Sequence, residues 1–131
     1  MTEDILQAKC YQTANQLIPQ TRGILYATPN GAYLANKQQA LKLISTGMLN
    51  GVSDMVLDKT NGKYTTLKLE LKLKSGKQSP AQIQWEKIIT EAGHKYVVIK
   101  TLSQFIDTIT EYLGLPKITL PQDLIDKYDN Y

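Results

Sequence analysis

A chain of 131 residues that is 42% hydrophobic fits one compact domain and is too apolar to be disordered. Its single cysteine, Cys10, excludes an internal disulfide, its single histidine, His94, makes a His/Cys zinc site implausible, and no apolar run is long enough to span a membrane. The net charge of +3 does not by itself indicate nucleic acid, and the acidic start Met1-Thr2-Glu3-Asp4 lacks the basic end and apolar stretch of a signal peptide, so an intracellular protein is expected.

In chain order, residues 3–18 read as a helix with an apolar stripe of Ile5, Leu6, Ala14, Leu17 and Ile18, closed by Pro19. Ile24-Leu25-Tyr26-Ala27 reads as a short strand ending at the turn signal Pro29-Asn30-Gly31. Residues 36–46 form a second helix with Ala40, Leu41 and Ile44 inward and Gly47 near its end. Asn50-Gly51 turns into the apolar run Val52 to Leu57, and Asn61-Gly62 marks a hairpin leading to the next strand. There, Thr65 to Lys74 alternate: Leu67, Leu69, Leu71 and Leu73 point one way, Lys68, Glu70, Lys72 and Lys74 the other.

Ser79-Pro80-Ala81-Gln82 opens a helix, with Ser79 as N-cap, Pro80 at the first helical position and Gln82 completing a capping box. Trp85, Ile88, Ile89 and Ala92 make its expected buried face, and Gly93 caps its end. Tyr96-Val97-Val98-Ile99 is a strand, and residues 102–113 form a helix with Leu102, Phe105, Ile106, Ile109 and Leu113 inward. Residues 115–131, with Pro116 and Pro121, read as an extended tail, packed on the body or loosely ordered. The order implies an α/β domain with one central mixed sheet flanked by helices. The Leu67–Leu73 strand is central, and the Tyr96 strand reaches it by a crossover through the Trp85 helix.

The chemistry concentrates in this centre. Fifteen residues separate Asp54 from Glu70, and Glu70 and Lys72 are neighbours on one strand face. Two carboxylates hold hard cations such as Mg²⁺, and a nearby lysine can stabilise charge or orient a water, which is the equipment of metal-assisted phosphodiester hydrolysis. Lys59, Lys63, Lys68, Lys72, Lys74 and Lys77 lie in or beside the hairpin and suit a phosphate backbone, although charge alone favours a solvated strand face that discourages edge-to-edge aggregation. Cys10 reads as a small buried apolar residue rather than a nucleophile.

With these residues placed, the chain resembles the virus-type replication-repair nuclease (VRR-NUC) domains of the PD-(D/E)xK superfamily. The resemblance rests on Gly51-Val52-Ser53-Asp54, Glu70-Leu71-Lys72, the run Gly76-Lys77-Gln78-Ser79-Pro80-Ala81-Gln82-Ile83-Gln84-Trp85, and Ala92 to Ile99. It covers roughly residues 3 to 113, giving a nuclease-like domain of residues 1–114 and a C-terminal tail of residues 115–131. Ser53 stands where the family usually has proline. The resemblance implies a restriction-endonuclease-like fold and Mg²⁺ or Mn²⁺ as cofactor, with no organic cofactor. Asp54 and Glu70 would be metal ligands, joined by the main-chain carbonyl of Leu71 and by Glu3. Lys72 would face the attacking water or the scissile phosphate, and Lys74 and Lys77 would contact nucleic acid.

Gln82 would also sit at the site. That role competes with its capping box, since one rotamer is not expected to satisfy both fully, and the site is the favoured placement. The implied activity is a DNA endonuclease, structure-specific on branched DNA, acting as a homodimer in a phage or mobile-element setting. The alternatives are a catalytically silent DNA-binding module on the same fold and a structural protein with a merely solvated polar strand.

Overall fold

The computed structural model describes residues 1–28 and 36–131. The expected turn at Pro29-Asn30-Gly31 falls outside them. In chain order the elements are α1 (Glu3–Leu17), β1 (Leu25–Ala27), α2 (Lys37–Ser45), β2 (Met55–Leu57), β3 (Leu67–Leu71), α3 (Pro80–Glu91), β4 (Lys95–Ile99), α4 (Leu102–Leu113) and α5 (Gln122–Tyr128). The strands form one sheet in the order β1-β2-β3-β4. β1, β2 and β3 pair antiparallel, and β3 and β4 pair parallel through the α3 crossover, so the sheet is mixed and β3 lies inside it.

Alternation sorts the side chains of the sheet. Leu25, Met55, Leu57, Leu67, Leu69, Leu71 and Ile99 share one face and are almost wholly buried. α1 and α4 cover that face: Leu6, Cys10 and Ala14 from α1, and Leu102, Phe105, Ile106 and Ile109 from α4, complete the core. Cys10 is buried there, and burial pushes its thiol well above the usual range, as a small apolar core residue requires. The inward face of α1 runs through Leu6, Cys10, Thr13 and Ala14, which leaves Ile5 and Leu17 of the expected stripe on the exposed flanks.

Three other expectations are corrected. β3 ends at Leu71 rather than Leu73, because the chain turns at once and the Gly76 N–H donates to the Leu73 carbonyl (2.8 Å). α2 and α3 bury none of their residues: Leu41, Ile44 and Ile88 are about half exposed, and Ala92 is exposed too. Their apolar spacing was read as a core face, but the sheet is already covered on the leucine side by α1 and α4. The segment after Gly114 is not simply extended. It holds α5, and Leu120 and Tyr128 are buried in the main core.

The loop between β2 and β3 is longer than a two-residue hairpin, since Leu57 is already paired with Leu67. The Asn61 side chain accepts from the Lys63 and Tyr64 N–H groups, and Gly62 takes φ +87°, so the Asn-Gly signal marks the turn inside that loop.

Candidate active site

The second face of the sheet carries Val56 from β2, Lys68 and Glu70 from β3, and Tyr96 and Val98 from β4. It is not the solvated stripe that alternation alone allows. α3 lies over it, with the Trp85 ring meeting Tyr96 edge-on at 6.1 Å, and Glu70 is only 1% exposed.

Asp54 enters this site at the start of β2. The β2–β3 ladder ends at the Met55–Leu69 pair, and the next free donor on that edge of β3, the Leu71 N–H, is taken by Asp54 Oδ2 at 2.8 Å. In an extended strand a residue's N–H and C=O lie on the same edge, so the Leu71 carbonyl also faces the Asp54 side. The chain is held in register there by Ser53: its buried hydroxyl donates to the Met55 carbonyl (3.1 Å), and its own carbonyl accepts from the Thr28 hydroxyl. Serine thus fits where the resembling family has proline. Just upstream, Gly51 has φ +84°, and a Cβ there would lie 2.4 Å from the Ala81 carbonyl oxygen. Only glycine lets the Asp54 segment lie this close to the first turn of α3.

Glu70 Oε2 is reached by the Gln82 amide N–H at 3.2 Å and by Lys72 Nζ at 3.9 Å. Oε1 is buried and has no hydrogen-bond partner. Burial first, then the adjacent Asp54, push the Glu70 carboxyl up to about 9, against the opposing pull of Lys72. An orphaned oxygen on a carboxyl that resists ionisation marks a place short of positive charge. The candidate ligands on this side, the Asp54 and Glu70 carboxyls and the Leu71 carbonyl, are hard oxygens. They fit a Mg²⁺- or Mn²⁺-type cation and do not suit a soft metal.

The remaining expected residues are placed unequally. Glu3 is exposed in the first turn of α1, and its field contributes to the upward shift at Glu70, so it lies toward this side. It does not join the pair closely: among the described residues, no group of three or more His, Cys, Asp or Glu side chains is arranged to hold a metal. Lys74 and Lys77 are exposed on the loop after β3, and Lys74 Nζ lies 4.9 Å from the centroid of the Tyr131 ring.

Gln82 shows that the expected competition does not exist. Its Oε1 accepts from the Ser79 N–H (2.8 Å), its N–H donates to Ser79 Oγ (3.2 Å), and its Nε2 donates to Glu70. One rotamer serves cap and site together, because the amide has an acceptor end and a donor end and the site uses only the donor.

Two members of this site escaped the sequence reading. Tyr96 is nearly buried on the Glu70 face, and burial together with the Glu70 charge drives its phenol well above the usual range. The Gln78 amide donates to the Tyr96 hydroxyl (3.2 Å) and to Glu86 Oε1 (2.9 Å), ordering the approach to α3. The available signal was the β4 alternation, which puts Tyr96 and Val98 on one face. A groove of about 520 Å³, lined by Asp4, Gln7, Ala8, Tyr11, Ala27 and Met55, does not include the carboxylate pair.

The fold and site together define an α/β domain in which a mixed sheet presents a carboxylate pair and a lysine beneath the N-terminus of a helix. In comparison with solved structures, the chain is similar to a VRR_NUC domain protein, with a TM-score of 0.75 and 22% identity over 91% of this chain and 93% of that one. The fold is therefore that of a VRR-NUC domain. No protein-family model matches the sequence, and no curated protein matches it.

Proposed function

We propose that this chain is a divalent-metal-dependent nuclease that hydrolyses DNA phosphodiester bonds, cutting branched DNA as a homodimer. The observation that carries the reading is Glu70, buried beside Asp54, with one carboxylate oxygen unpartnered and Lys72 within 3.9 Å of the other. A purely structural site has no use for such an arrangement, since an unmatched buried carboxyl destabilises the fold. The name of the structural neighbour, a VRR_NUC domain protein, points to the same nuclease class.

Asp54, Glu70 and the Leu71 carbonyl would hold Mg²⁺ or Mn²⁺, with Glu3 an outer contributor. When bound, the cation lowers the pKa of a water and neutralises charge on the phosphate. The chain's own residues do the rest. Asp54 is fixed by the Leu71 N–H, and Glu70 by the Gln82 amide, so neither carboxylate has to reorganise. The Lys72 ammonium, 3.9 Å from Glu70 Oε2, would face a non-bridging phosphate oxygen or the attacking water. Lys74 and Lys77 extend positive charge along the path of the strand.

The dimer is supported by exposed apolar residues, Leu41 and Ile44 on α2, Ile83 and Ile88 on α3, and Leu49 in the segment after α2. Among the described residues, no helix is long and apolar enough to cross a membrane and account for them.

The test is a panel of duplex, flap and four-way-junction DNA incubated with Mg²⁺, Mn²⁺, Ca²⁺ or EDTA. Cleavage in Mg²⁺ and Mn²⁺, binding without efficient turnover in Ca²⁺, and none in EDTA are expected. Robust cutting in excess chelator would overturn the metal-dependent reading, and DNA binding without cutting in any metal would favour a silent binding module. Light scattering that finds a monomer both free and on junction DNA would remove the homodimer.

A further inference from the structure

The segment after Gly114 lies outside the resemblance noted in the sequence, yet it ends against the loop that follows Lys72. Asp129 anchors it: its carboxylate accepts from the Ser103 N–H (3.0 Å) and from the Ser103 hydroxyl, at the first turn of α4, where the helix dipole favours an anion. From that anchor, the Tyr131 hydroxyl donates to the Lys100 carbonyl (2.7 Å). The Lys100 ammonium in turn donates to the carbonyls of Lys74 (3.0 Å) and Gly76 (3.3 Å), tying β4 to the turn between Leu73 and Gly76. The ring of Tyr131 closes the circuit beneath the Lys74 ammonium, 4.9 Å from its centroid.

We propose that Tyr131 and Lys100 are positioning residues for DNA binding: they hold the Leu73–Gly76 turn and aim Lys74 at the phosphate backbone beside the carboxylate pair. The inference rests on the nuclease reading for its ligand but not for its geometry. Three observations carry it. The turn begins at Leu73, directly after Lys72, so its position bears on where that lysine sits. Lysine has a long, freely rotating stem, and the ring contact restricts Lys74 at an exposed surface. Lys100 uses its charge on two backbone carbonyls instead of on an acidic side chain, which is a structural use of a cation. Tyr131 also lies near enough to Glu3 to feel its charge, so the brace and the N-terminus of α1 flank the same side of the site.

The proposal makes a distinction that ordinary destabilisation does not. Tyr131→Ala removes no charge. It is nevertheless expected to lower the slope of log binding constant against log salt by about 1, as Lys74→Ala does, because an unaimed Lys74 no longer neutralises a phosphate. Binding is measured on four-way-junction DNA in Ca²⁺, and amide hydrogen exchange of residues 72–77 is measured on the protein alone. Exchange at the Gly76 amide rises in Tyr131→Ala, and the Tyr131→Ala/Lys74→Ala pair lowers the slope no further than Lys74→Ala. A wild-type salt slope or wild-type exchange in Tyr131→Ala overturns the proposal, as does a slope in the double variant that falls by the sum of the two. Tyr131→Phe, which deletes only the hydroxyl, keeps the test decisive if the alanine variant fails to fold: exchange at Gly76 rises in it as well, and no rise overturns the brace. A wild-type chain that binds no DNA would overturn the nuclease reading, while the exchange comparison would still decide whether Tyr131 holds the turn.

Discussion

Removing the ionisable carboxyl of Glu70 should make the protein more stable at neutral pH when no metal is bound, because the fold holds that group protonated where the unfolded chain ionises it. The carboxyl has an ordinary value of 4.5 in the unfolded chain and about 9 in the fold, raised first by burial and then by Asp54. Between those values the unfolded state has released its proton and the folded state has not, so the folded state binds more protons and stability falls as pH rises. The contribution is therefore full below about 4.5 and lost progressively toward 9. From the lower value to pH 7.5 is about three pH units, which at about 1.4 kcal/mol each sets a ceiling near 4 kcal/mol.

The Lys72 ammonium at 3.9 Å and the Gln82 amide at 3.2 Å favour the ionised form, and water at the mouth of the site screens it. About 1–3 kcal/mol is the resulting expectation, or a rise in melting temperature of roughly 3–10 °C for a domain of this size. Glu70→Gln keeps the shape and deletes the titrating group. Urea or thermal melts of both proteins in EDTA, from pH 5 to 8, should show curves that coincide near pH 5 and diverge upward, with Glu70→Gln the more stable. Mg²⁺ should restore wild-type stability at pH 7.5 with release of protons, and should leave Glu70→Gln nearly unmoved. Parallel curves across the whole range would refute the reasoning, since Glu70 would then titrate alike folded and unfolded.

Asp54→Ala and Lys72→Ala should each reduce cleavage of junction DNA at least a hundredfold, with circular dichroism unchanged. Asp54→Ala should also cost about 1 kcal/mol in a denaturant melt, because the Leu71 N–H loses its acceptor. Gly51→Ala should destabilise by about 2 kcal/mol or more, from a positive φ and the close approach to Ala81 together; a melt within 0.5 kcal/mol of wild type, on the order of an ordinary surface change, would contradict the packing. Gln82→Glu should keep the acceptor for the Ser79 N–H but set a carboxylate against Glu70, lowering cleavage more than tenfold. Ser79→Ala, by contrast, should cost about 1 kcal/mol of stability and leave cleavage within about threefold.

What could be read from the sequence followed from short-range rules. The β3 alternation and the Ser79-Pro80-Gln82 start of α3 each depend on a few neighbouring residues, and each stands in the structure. Burial was less legible. The apolar spacing of α2 and α3 does not tell which of their residues end up covered, so Leu41 and Ile88 could not be told from core residues. α5 was hidden for a different reason. It is seven residues long and preceded by prolines, too short to announce itself by periodicity, and it is held by distant partners such as Ser103 and the core around Tyr128.

The site shows the same division more sharply. Asp54, Glu70 and Lys72 were found because their residue types and face are local facts, and the sheet brings them together as the alternation requires. The environment of Glu70 was not local. Its burial comes from α3, ten residues on, and from Tyr96 on a strand reached only through that helix. Gln82 joins the two levels. The capping box that starts α3 also points the amide nitrogen down at Glu70, so the residue that tells the helix where to begin is the one that tells the carboxylate where to sit. A mutation that moved the helix start by one residue would keep every element of the fold. It would also rotate the amide about 100° around the helix axis, away from Glu70, and separate the cap from the site. The sequence treated these roles as competitors because it ranks residue types one at a time, whereas the fold uses both ends of one amide.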